Sequence, residues 1–287
     1  MRKYDKIKNK KTRKGRYAMF KRKIYNKMQE WKKDSNGKTA LLIEGARRIG
    51  KSTVVEEFAK NEYESYILID FSRASKEIKE LFEDVSDLDF LFLQLQLQYK
   101  VDLHERNSVI IFDEVQLCPT ARQAIKALVA DHRYDYIETG SLISINKNVK
   151  DILIPSEERK ISMYPMDYEE FLWAIGDKST FSLLRKCFDM NQGLGDAINR
   201  KQLRQFRLYM LVGGMPQAVS TYIETNNFRK VDEIKRDILN LILSDCKTEG
   251  KNLCFSIRKP FDKLLKTPEI NKWCRWQESD LRPRHYQ

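Results

Sequence analysis

Residues Gly45 to Ser52 read GARRIGKS and fit the spacing G-x-x-x-x-G-K-[ST]. A loop with this spacing surrounds the phosphates of a nucleotide with its backbone N–H groups, so side chains must stay clear of it. Gly45 and Gly50 permit that close approach. Lys51 supplies a positive charge for the β- and γ-phosphate oxygens, and the Ser52 hydroxyl is a suitable Mg²⁺ ligand. The residues therefore predict a triphosphate-binding loop.

The predicted contacts continue into the helix that follows this loop, because a helix N-terminus attracts phosphate. We expect nine consecutive residues to contact the nucleotide: Gly45, Ala46, Arg47, Arg48, Ile49, Gly50, Lys51, Ser52 and Thr53. Arg47 and Arg48 could hold phosphate or an acidic group of a partner. The favoured interpretation is that both arginines face solvent at the tip of the loop, without a catalytic role.

A second group of chemically capable residues lies in VIIFDEVQ, residues 109–116. Four apolar residues predict a buried strand, and two carboxylates follow at its C-terminal end, where ligands bind in open α/β sheets. Asp113 is placed to hold Mg²⁺, directly or through water. Glu114 is placed to act as the base that activates a water molecule. Phosphoryl transfer to a metabolite needs no such base, so Glu114 favours ATP hydrolysis over a small-molecule kinase.

Other polar residues near the predicted site can be interpreted either as contacts to the nucleotide or as ordinary structural residues. Thr139 and Ser141 end the next predicted strand in IETGS, residues 137–141, and could contact the γ-phosphate or the water. An ordinary strand-end turn, in which both hydroxyls satisfy the backbone, explains them equally well. Arg159 could contact phosphate, although a salt bridge with Glu157 or Glu158 is favoured. No Asn-Lys-x-Asp stretch is present to recognise guanine, so ATP is preferred to GTP.

Strand and helix patterns alternate through the first 164 residues. The predicted strands are 39–44, 65–71, 108–115, 134–141 and 159–164. Helices are predicted over 19–31, 52–60 and 120–130. Such alternation is typical of parallel βαβ units. We therefore predict an α/β fold of three layers with a parallel sheet in the middle.

Two segments need a separate interpretation. LFLQLQLQY, residues 91–99, alternates like a strand, but Leu and Gln favour helices and a parallel sheet needs a crossover here, so we predict a helix. After residue 164 only helical patterns remain, beginning with Asp167 and Glu170 at capping-box spacing. VGGMP, residues 212–216, predicts a turn between two helices of this region.

The charge of the chain is concentrated at its ends. The net charge is +12; residues 1–17 hold nine Lys/Arg and one Asp, and residues 246–287 hold ten Lys/Arg and five Asp/Glu. Residues 18–245 hold 34 basic and 35 acidic residues, so this part of the chain is nearly neutral. A basic arm can bind nucleic acid weakly and without sequence specificity. A solvated tail is the favoured alternative.

Composition also bears on location and on metal binding. No run of about 18 apolar residues could span a membrane, and the first residues lack the apolar stretch of a signal peptide, so a cytoplasmic protein is expected. The five cysteines form no CxxC pair and accompany no suitably spaced His, which argues against a zinc site. We expect them to be reduced thiols that are buried as small apolar groups.

Five motifs occur in the order and with the spacing of a known family: EGARRIGKST, IIFDEVQ, ETGSLIS, YPMDYEEFLWA and VGGMPQAV. Through them, residues 19–244 resemble prokaryotic AAA-type P-loop ATPases that carry a C-terminal domain of unknown function. The resemblance implies an ASCE-type three-layer sheet followed by a small helical region, with ATP and Mg²⁺ as ligands. It implies roles in nucleotide binding, metal binding and catalysis for the matching positions Gly45, Gly50, Lys51, Ser52, Asp113, Glu114 and Ser141. Gln116 matches as well, without an assigned role.

This comparison divides the chain into four predicted parts: a basic tail (1–18), an ATPase core (19–164), a helical region (165–244) and an irregular tail (245–287). Relatives in that family continue into a second domain, whereas periodicity, charge and cysteine usage here all change near residue 245. We therefore expect a truncated or frame-shifted product. Translating the downstream DNA in all frames would test this hypothesis.

Three functions remain open from the sequence. The first is a Mg²⁺-dependent ATPase that acts on an unknown protein partner, with an unassigned oligomeric state. The second is a module that binds nucleotide with negligible turnover because the second domain is missing. The third is a nucleic-acid-associated protein that uses its basic termini.

Overall fold

The computed structural model describes residues 19–141 and 157–249. The predicted basic tail (1–18) lies outside this range, and so does the predicted irregular tail from residue 250 onwards, including Cys254 and Cys274. The chain separates into two compact units, Met1–Asp232 and Glu233–Gln287. The first unit contains the whole sheet and the candidate site.

Five parallel strands form the sheet of the first unit: β1 Ala40–Glu44, β2 Ser65–Asp70, β3 Ser108–Asp113, β4 Asp135–Gly140 and β5 Glu158–Ser162. Their order across the sheet is β2-β3-β4-β1-β5. All residues of β3 and β4 are buried, because both strands are interior and covered on both faces. The order places β4 between β1 and β3, and the parallel pairing of all neighbouring strands confirms the predicted parallel α/β fold.

Ten helices accompany the strands within the described residues: α1 Ile24–Ser35, α2 Lys51–Glu62, α3 Lys76–Glu80, α4 Leu88–Tyr99, α5 Pro119–Ala130, α6 Tyr168–Ala174, α7 Thr180–Asp189, α8 Asp196–Val212, α9 Pro216–Thr225 and α10 Phe228–Glu249. A short 3₁₀ turn, Val115–Leu117, follows β3. None of the helices in the described part of the chain is both long and apolar enough to cross a membrane.

Two apolar cores cover the two faces of the sheet, because successive side chains of a strand point to opposite sides. Leu42 of β1 belongs to the core under α4 and α5. Its neighbours Leu41 and Ile43 belong to the core under α1 and α2. The three-layer arrangement predicted from the alternation of patterns is therefore confirmed.

The ambiguous stretch 91–99 is helical, as predicted. Helix α4 buries Leu91, Phe92 and Leu95 against the sheet, although its alternating sequence leaves other leucines in solvent. Asp87 caps its first turn by accepting a hydrogen bond from the backbone N–H of Phe90 at 2.9 Å. The capping box predicted from Asp167 and Glu170 is also present, at the start of α6.

The ends of two helices differ from the prediction. Helix α1 begins at Ile24 rather than Met19, because the preceding residues bind to other parts of the fold; the backbone N–H of Lys23, for example, donates to Glu170 Oε1 at 2.6 Å. Helix α10 continues to Glu249, whereas the sequence predicted irregular structure from residue 245. The boundary between the two compact units falls inside this helix.

Candidate nucleotide-binding site

The GARRIGKS segment, called the phosphate loop below, joins β1 to the start of α2. Gly50 is the N-cap of α2 and has φ 94°, a left-handed conformation that favours glycine. Helix α2 then begins at Lys51 with its N-terminus at the loop. A strand, a glycine-containing loop and a helix N-terminus thus follow one another as phosphate binding requires.

Lys51 is buried at the base of the loop, with 6% of its surface exposed. Its ammonium group donates to the carbonyl oxygens of Gly45 at 3.0 Å and Ala46 at 2.9 Å. Burial lowers the pKa of Lys51, and the carboxylates of Glu114 and Asp113 oppose that effect. The ammonium therefore already lies in the field of both predicted acidic residues.

Three side chains from three elements meet at the end of β3. The Ser52 hydroxyl donates to Asp113 Oδ1 at 2.8 Å, and the Thr139 hydroxyl donates to the same oxygen. The Glu114 backbone N–H donates to Thr139 Oγ1 at 3.4 Å, which ties β4 to the residue after β3. Thr139 thus positions Asp113, a contact that neither sequence interpretation of Thr139 included.

The Asp113 carboxyl group is suited to a bound cation. Burial raises the pKa of Asp113, and the hydrogen bonds from Thr139 and Ser52 offset part of this rise. A divalent cation beside the carboxylate would favour its charged form. A serine hydroxyl and a carboxylate oxygen only 2.8 Å apart are also the oxygen donors that Mg²⁺ accepts. Ser52 and Asp113 therefore fit the predicted metal site.

Glu114 occupies the left-handed region, with φ 53°, at the turn that follows β3. Its carboxylate accepts a hydrogen bond from the side-chain amide of Gln116 in the adjacent 3₁₀ turn. Gln116, which had no assigned role in the sequence, therefore fixes the orientation of the predicted base.

A cavity of about 510 Å³ opens beside the phosphate loop and is lined by Lys51, Ser52, Thr53 and Glu114. The segment before α1 and the start of α9, Pro216, also line it. Asp113 does not line the cavity, but it accepts a hydrogen bond from Ser52, which does. The chain thus surrounds the candidate site with parts that are far apart in sequence.

Arg22 is the best-connected of these distant residues. Its guanidinium donates to the carbonyl oxygens of Ile49 in the phosphate loop at 2.8 Å and of Tyr164 after β5 at 2.6 Å. It also forms a buried ion pair with Glu170 of α6, with 3.2 Å between Nε and Oε2. Sequence reasoning treated Arg22 as one of many basic residues, because nothing in its local pattern distinguishes it.

The observed contacts of the other predicted residues agree only in part with the predictions. Arg48 is exposed, but it donates to the side chain of Gln217 at the start of α9 at 3.2 Å instead of ending freely in solvent. Arg159 pairs with Asp34 at 3.6 Å, so the predicted partners Glu157 and Glu158 were wrong. Ser141 is buried at the end of β4 and does not line the cavity, so its catalytic role remains a prediction.

Two contacts explain the VGGMP turn. The carbonyl oxygen of Gly214 accepts the backbone N–H of Met166 at 2.7 Å. A Cβ atom at Gly214 would lie 2.2 Å from the carbonyl oxygen of Met166, so only glycine fits there. The turn is thereby fixed to the segment before α6 and directs the N-terminus of α9 towards the phosphate loop.

Comparison with known proteins agrees with this geometry. A family model described as "AAA domain" matches residues 37–172. Residues 37–172 are thus similar to AAA domains. The matched range includes the sheet, the phosphate loop and the acidic end of β3, and the match supports an ATP-binding, ATPase-like function for this part of the chain. No curated protein sequence matches the chain significantly.

Similar solved structures are distant in sequence. The Aeropyrum pernix Orc1 protein in complex with DNA is 10% identical with a TM-score of 0.44, covering 79% of this chain and 69% of that chain. The Thermotoga maritima RuvB Holliday junction branch migration motor is 10% identical with a TM-score of 0.43, covering 78% and 69%. C. elegans PCH-2 is 10% identical with a TM-score of 0.39, covering 79% and 70%. At these scores the similarity carries no argument about function.

Proposed function

We propose that residues 37–172, the part of the chain that is similar to AAA domains, bind ATP with Mg²⁺ and hydrolyse it to ADP and phosphate. The observation that carries the proposal is the 2.8 Å hydrogen bond between Ser52 of the phosphate loop and Asp113 of β3. It brings together two motifs 61 residues apart, with Lys51 and Glu114 close enough to affect one another electrostatically.

Each side chain has a proposed task. Lys51 exchanges its carbonyl acceptors for phosphate oxygens and stabilises their negative charge. Ser52 and Asp113 would hold Mg²⁺, and the bound ion would neutralise charge that develops on the phosphates. Glu114, oriented by Gln116, accepts a proton from the attacking water. The water oxygen forms its bond to the γ-phosphorus as the bond to the ADP oxygen breaks.

The start of α9 connects the candidate site to the helices that follow the sheet. Pro216 lines the cavity, and Gln217 accepts a hydrogen bond from Arg48 of the phosphate loop. A change in the occupant of the cavity alters the surroundings of both residues. We propose that hydrolysis shifts α9 relative to the loop and so switches a protein partner, as in other nucleotide-driven rearrangements.

Two substitutions test the proposed chemistry. Lys51→Ala should weaken binding of fluorescent mant-ATP by about tenfold or more, because a buried charge directed at phosphate is lost. Glu114→Gln should leave binding in place and slow phosphate release about a hundredfold, because the base is removed without a change in size. Lys33→Ala and Glu83→Gln, both at exposed positions, are the matched controls and should behave like wild type.

The same measurements separate turnover from binding alone. Wild-type protein that binds mant-ATP but releases no phosphate with Mg²⁺ present would support a nucleotide-binding module instead. Chelation of Mg²⁺ with EDTA should stop phosphate release. Wild-type affinity retained by Lys51→Ala would contradict the proposed site itself.

A further inference from the structure

Helix α7 is amphipathic, yet none of its residues is buried. Phe181, Leu184 and Phe188 are spaced by three and then four positions, so they lie on one side of the helix. A helix on the surface of a globular protein normally buries such a side against its own chain. Here Phe188 keeps 85% of its surface exposed, and Met190, just after the helix, keeps 63%. The end of α7 therefore projects apolar side chains into solvent.

Residues 180–212, which we call the α7–α8 surface, concentrate exposed apolar side chains. Of the fourteen large apolar side chains that are exposed in the described chain, this stretch holds seven: Leu183, Phe188, Met190, Ile198, Leu203, Phe206 and Met210. Single exposed apolar residues are common on protein surfaces, whereas a concentration of them indicates an interaction surface. The α7–α8 surface is therefore a candidate for contact with another molecule.

The same surface is basic. It holds two acidic residues and six basic residues, and all six basic side chains are exposed: Arg185, Lys186, Arg200, Lys201, Arg204 and Arg207. None of the six forms an ion pair with a described residue. Arg200, Leu203, Arg207 and Met210 follow one another at spacings of three and four positions, so basic and apolar side chains lie together along α8. The positive charge is thus available to an outside partner.

We propose that the α7–α8 surface binds the headgroup layer of an anionic phospholipid bilayer. Phe188 and Met190 would enter the boundary between headgroups and acyl chains, while the arginines would remain among the lipid phosphates. The headgroup layer suits a surface with adjacent apolar and basic side chains, because it is charged on its outer side and apolar just below. Such a surface lies in the plane of the bilayer, so this binding needs no helix that crosses the membrane.

The combination of these features favours a lipid surface over a macromolecule. Nucleic acid would satisfy the arginines but would leave Phe188 and Met210 in water. A protein partner would have to match the shape of apolar side chains that are spread over two helices and the turn between them, because protein interfaces are closely packed. A lipid layer is fluid and accepts apolar side chains in any arrangement. Anionic lipids also supply the negative charge that the six basic side chains lack within the described chain.

Co-sedimentation of the full chain with vesicles tests the proposal. We expect binding to phosphatidylcholine vesicles that contain phosphatidylserine, weaker binding to phosphatidylcholine alone, and weakening of the binding by salt. Both ends of the chain are also basic and can contribute to binding, so the decisive variant leaves the charge unchanged. Phe188→Ser with Met190→Ser should weaken binding about tenfold or more, because the side chains that enter the lipid are lost.

Each change has a matched control elsewhere on the chain. Leu93 and Leu97 of α4 are 51% and 64% exposed, and Leu93→Ser with Leu97→Ser should bind vesicles like wild type. Reversal of charge on α8 (R200E/R204E/R207E) should weaken binding about tenfold or more, because the surface then repels anionic lipid. The control K27E/K33E/K126E makes the same change in charge at exposed positions on α1 and α5 and should weaken binding much less.

Fluorescence measures whether the end of α7 enters the lipid. Phe188→Trp places an indole there, and brominated lipid tails quench an indole only in close contact. We expect the fluorescence that this variant adds to that of the wild-type tryptophans to be quenched on anionic vesicles with brominated tails. Leu97→Trp, the same probe at an exposed position on α4, should add fluorescence that stays unquenched.

Three results would overturn the proposal. Wild-type protein that does not bind anionic vesicles would do so, whether the α7–α8 surface then meets another protein, a second copy or nothing. Equal binding by wild type and by the variant with serine at both Phe188 and Met190 would assign the binding to the basic ends of the chain alone. An unquenched indole in Phe188→Trp would show contact without entry into the lipid. Circular dichroism of every variant checks that a loss of binding does not come from a loss of folding.

Discussion

Gly45 is a position where the absence of a side chain is a requirement. A Cβ atom there would lie 2.4 Å from the carbonyl oxygen of Met163, the residue that follows β5 by one position. Backbone carbonyls cannot move aside as a flexible side chain can. The glycine therefore lets the phosphate loop pack directly against the end of the sheet.

Gly45→Ala should both destabilise the fold and weaken nucleotide binding, because the loop must move away from Met163 to make room. We expect a loss of about 1–3 kcal/mol in the free energy of unfolding and a clearly reduced affinity for mant-ATP. Gly193→Ala is the matched control, since a Cβ atom there meets nothing within 4 Å. Equal thermal midpoints and affinities for the two variants would contradict the close contact.

Glu138 is a buried acid outside the proposed site. It lies on β4 with no exposed surface, beside Glu158 and the guanidinium of Arg122, which pairs with Glu158 at 3.1 Å. Burial raises the pKa of Glu138 to about 8, and repulsion from Glu158 adds to this rise, against the attraction of Arg122 and Lys160. The folded protein thus favours the protonated form of this carboxyl group.

The raised pKa predicts a specific pH dependence of stability. Between the ordinary value of 4.5 and about 8, folded Glu138 holds a proton that the unfolded chain has released. Its contribution to stability is therefore complete below pH 4.5 and is lost as pH rises towards 8. The Gln side chain of Glu138→Gln does not titrate, so this variant does not lose stability in that way. Its thermal midpoint, compared with that of wild type at the same pH, should therefore rise from pH 5 to pH 8. A difference that stays constant with pH would contradict the assignment.

Contacts between elements determine how the phosphate loop is held. The short segment before α1 contributes Arg22, which joins the loop, the end of β5 and α6 through two carbonyl oxygens and one carboxylate. Only 6% of each side chain of the Arg22–Glu170 pair is exposed. The neighbouring Lys23 also reaches the start of α6, but its pair with Asp167 is 41% and 50% exposed.

This contrast makes Arg22→Ala and Lys23→Ala a matched pair. Removal of one partner from a buried ion pair should cost about 3–5 kcal/mol of stability, and the freed loop should bind mant-ATP less tightly. Removal of an exposed partner should cost less than about 1 kcal/mol. Chemical denaturation and mant-ATP titration measure both quantities. Similar losses in the two variants would show that Arg22 does not hold the loop.

At the scale of the whole molecule, positive charge and nucleotide chemistry lie in different parts of the sequence. Residues 1–17 contribute nine basic residues and one acidic residue, whereas residues 18–245, which include the range similar to AAA domains, are nearly neutral. Any sequence-independent affinity for DNA should therefore come from the basic ends of the chain, and most of it from residues 1–17, whose net charge of +8 exceeds the +5 of residues 246–287. This affinity should be independent of the phosphate loop.

Replacement of the nine Lys and Arg residues of this segment by Gln should lower DNA affinity and flatten its dependence on salt, while ATP binding stays unchanged. Fluorescence anisotropy with a labelled duplex at two salt concentrations measures the effect. Equally weak DNA binding by the wild type and the Gln-substituted protein would contradict a nucleic-acid role for residues 1–17.

The sequence by itself determined the fold and the two motifs of the site. The buried strands, the loop spacing and the Asp-Glu pair are local patterns, because alternating elements and a glycine loop need only neighbouring residues to be recognised. Lys51, Ser52, Asp113 and Glu114 were predicted as a group for this reason, and the structure brings them together. The family match supports the ATPase-like assignment independently.

Only the tertiary structure decided which distant residues support these motifs. Arg22, Thr139 and Gln116 act through contacts whose geometry depends on how the strands order themselves and how the chain turns after β5 and β3. Arg159 was given the wrong partner because Asp34, on α1, is far from it in sequence. Hydrogen bonds and ion pairs depend on distances of a few ångströms across separate elements, and sequence spacing does not encode those distances.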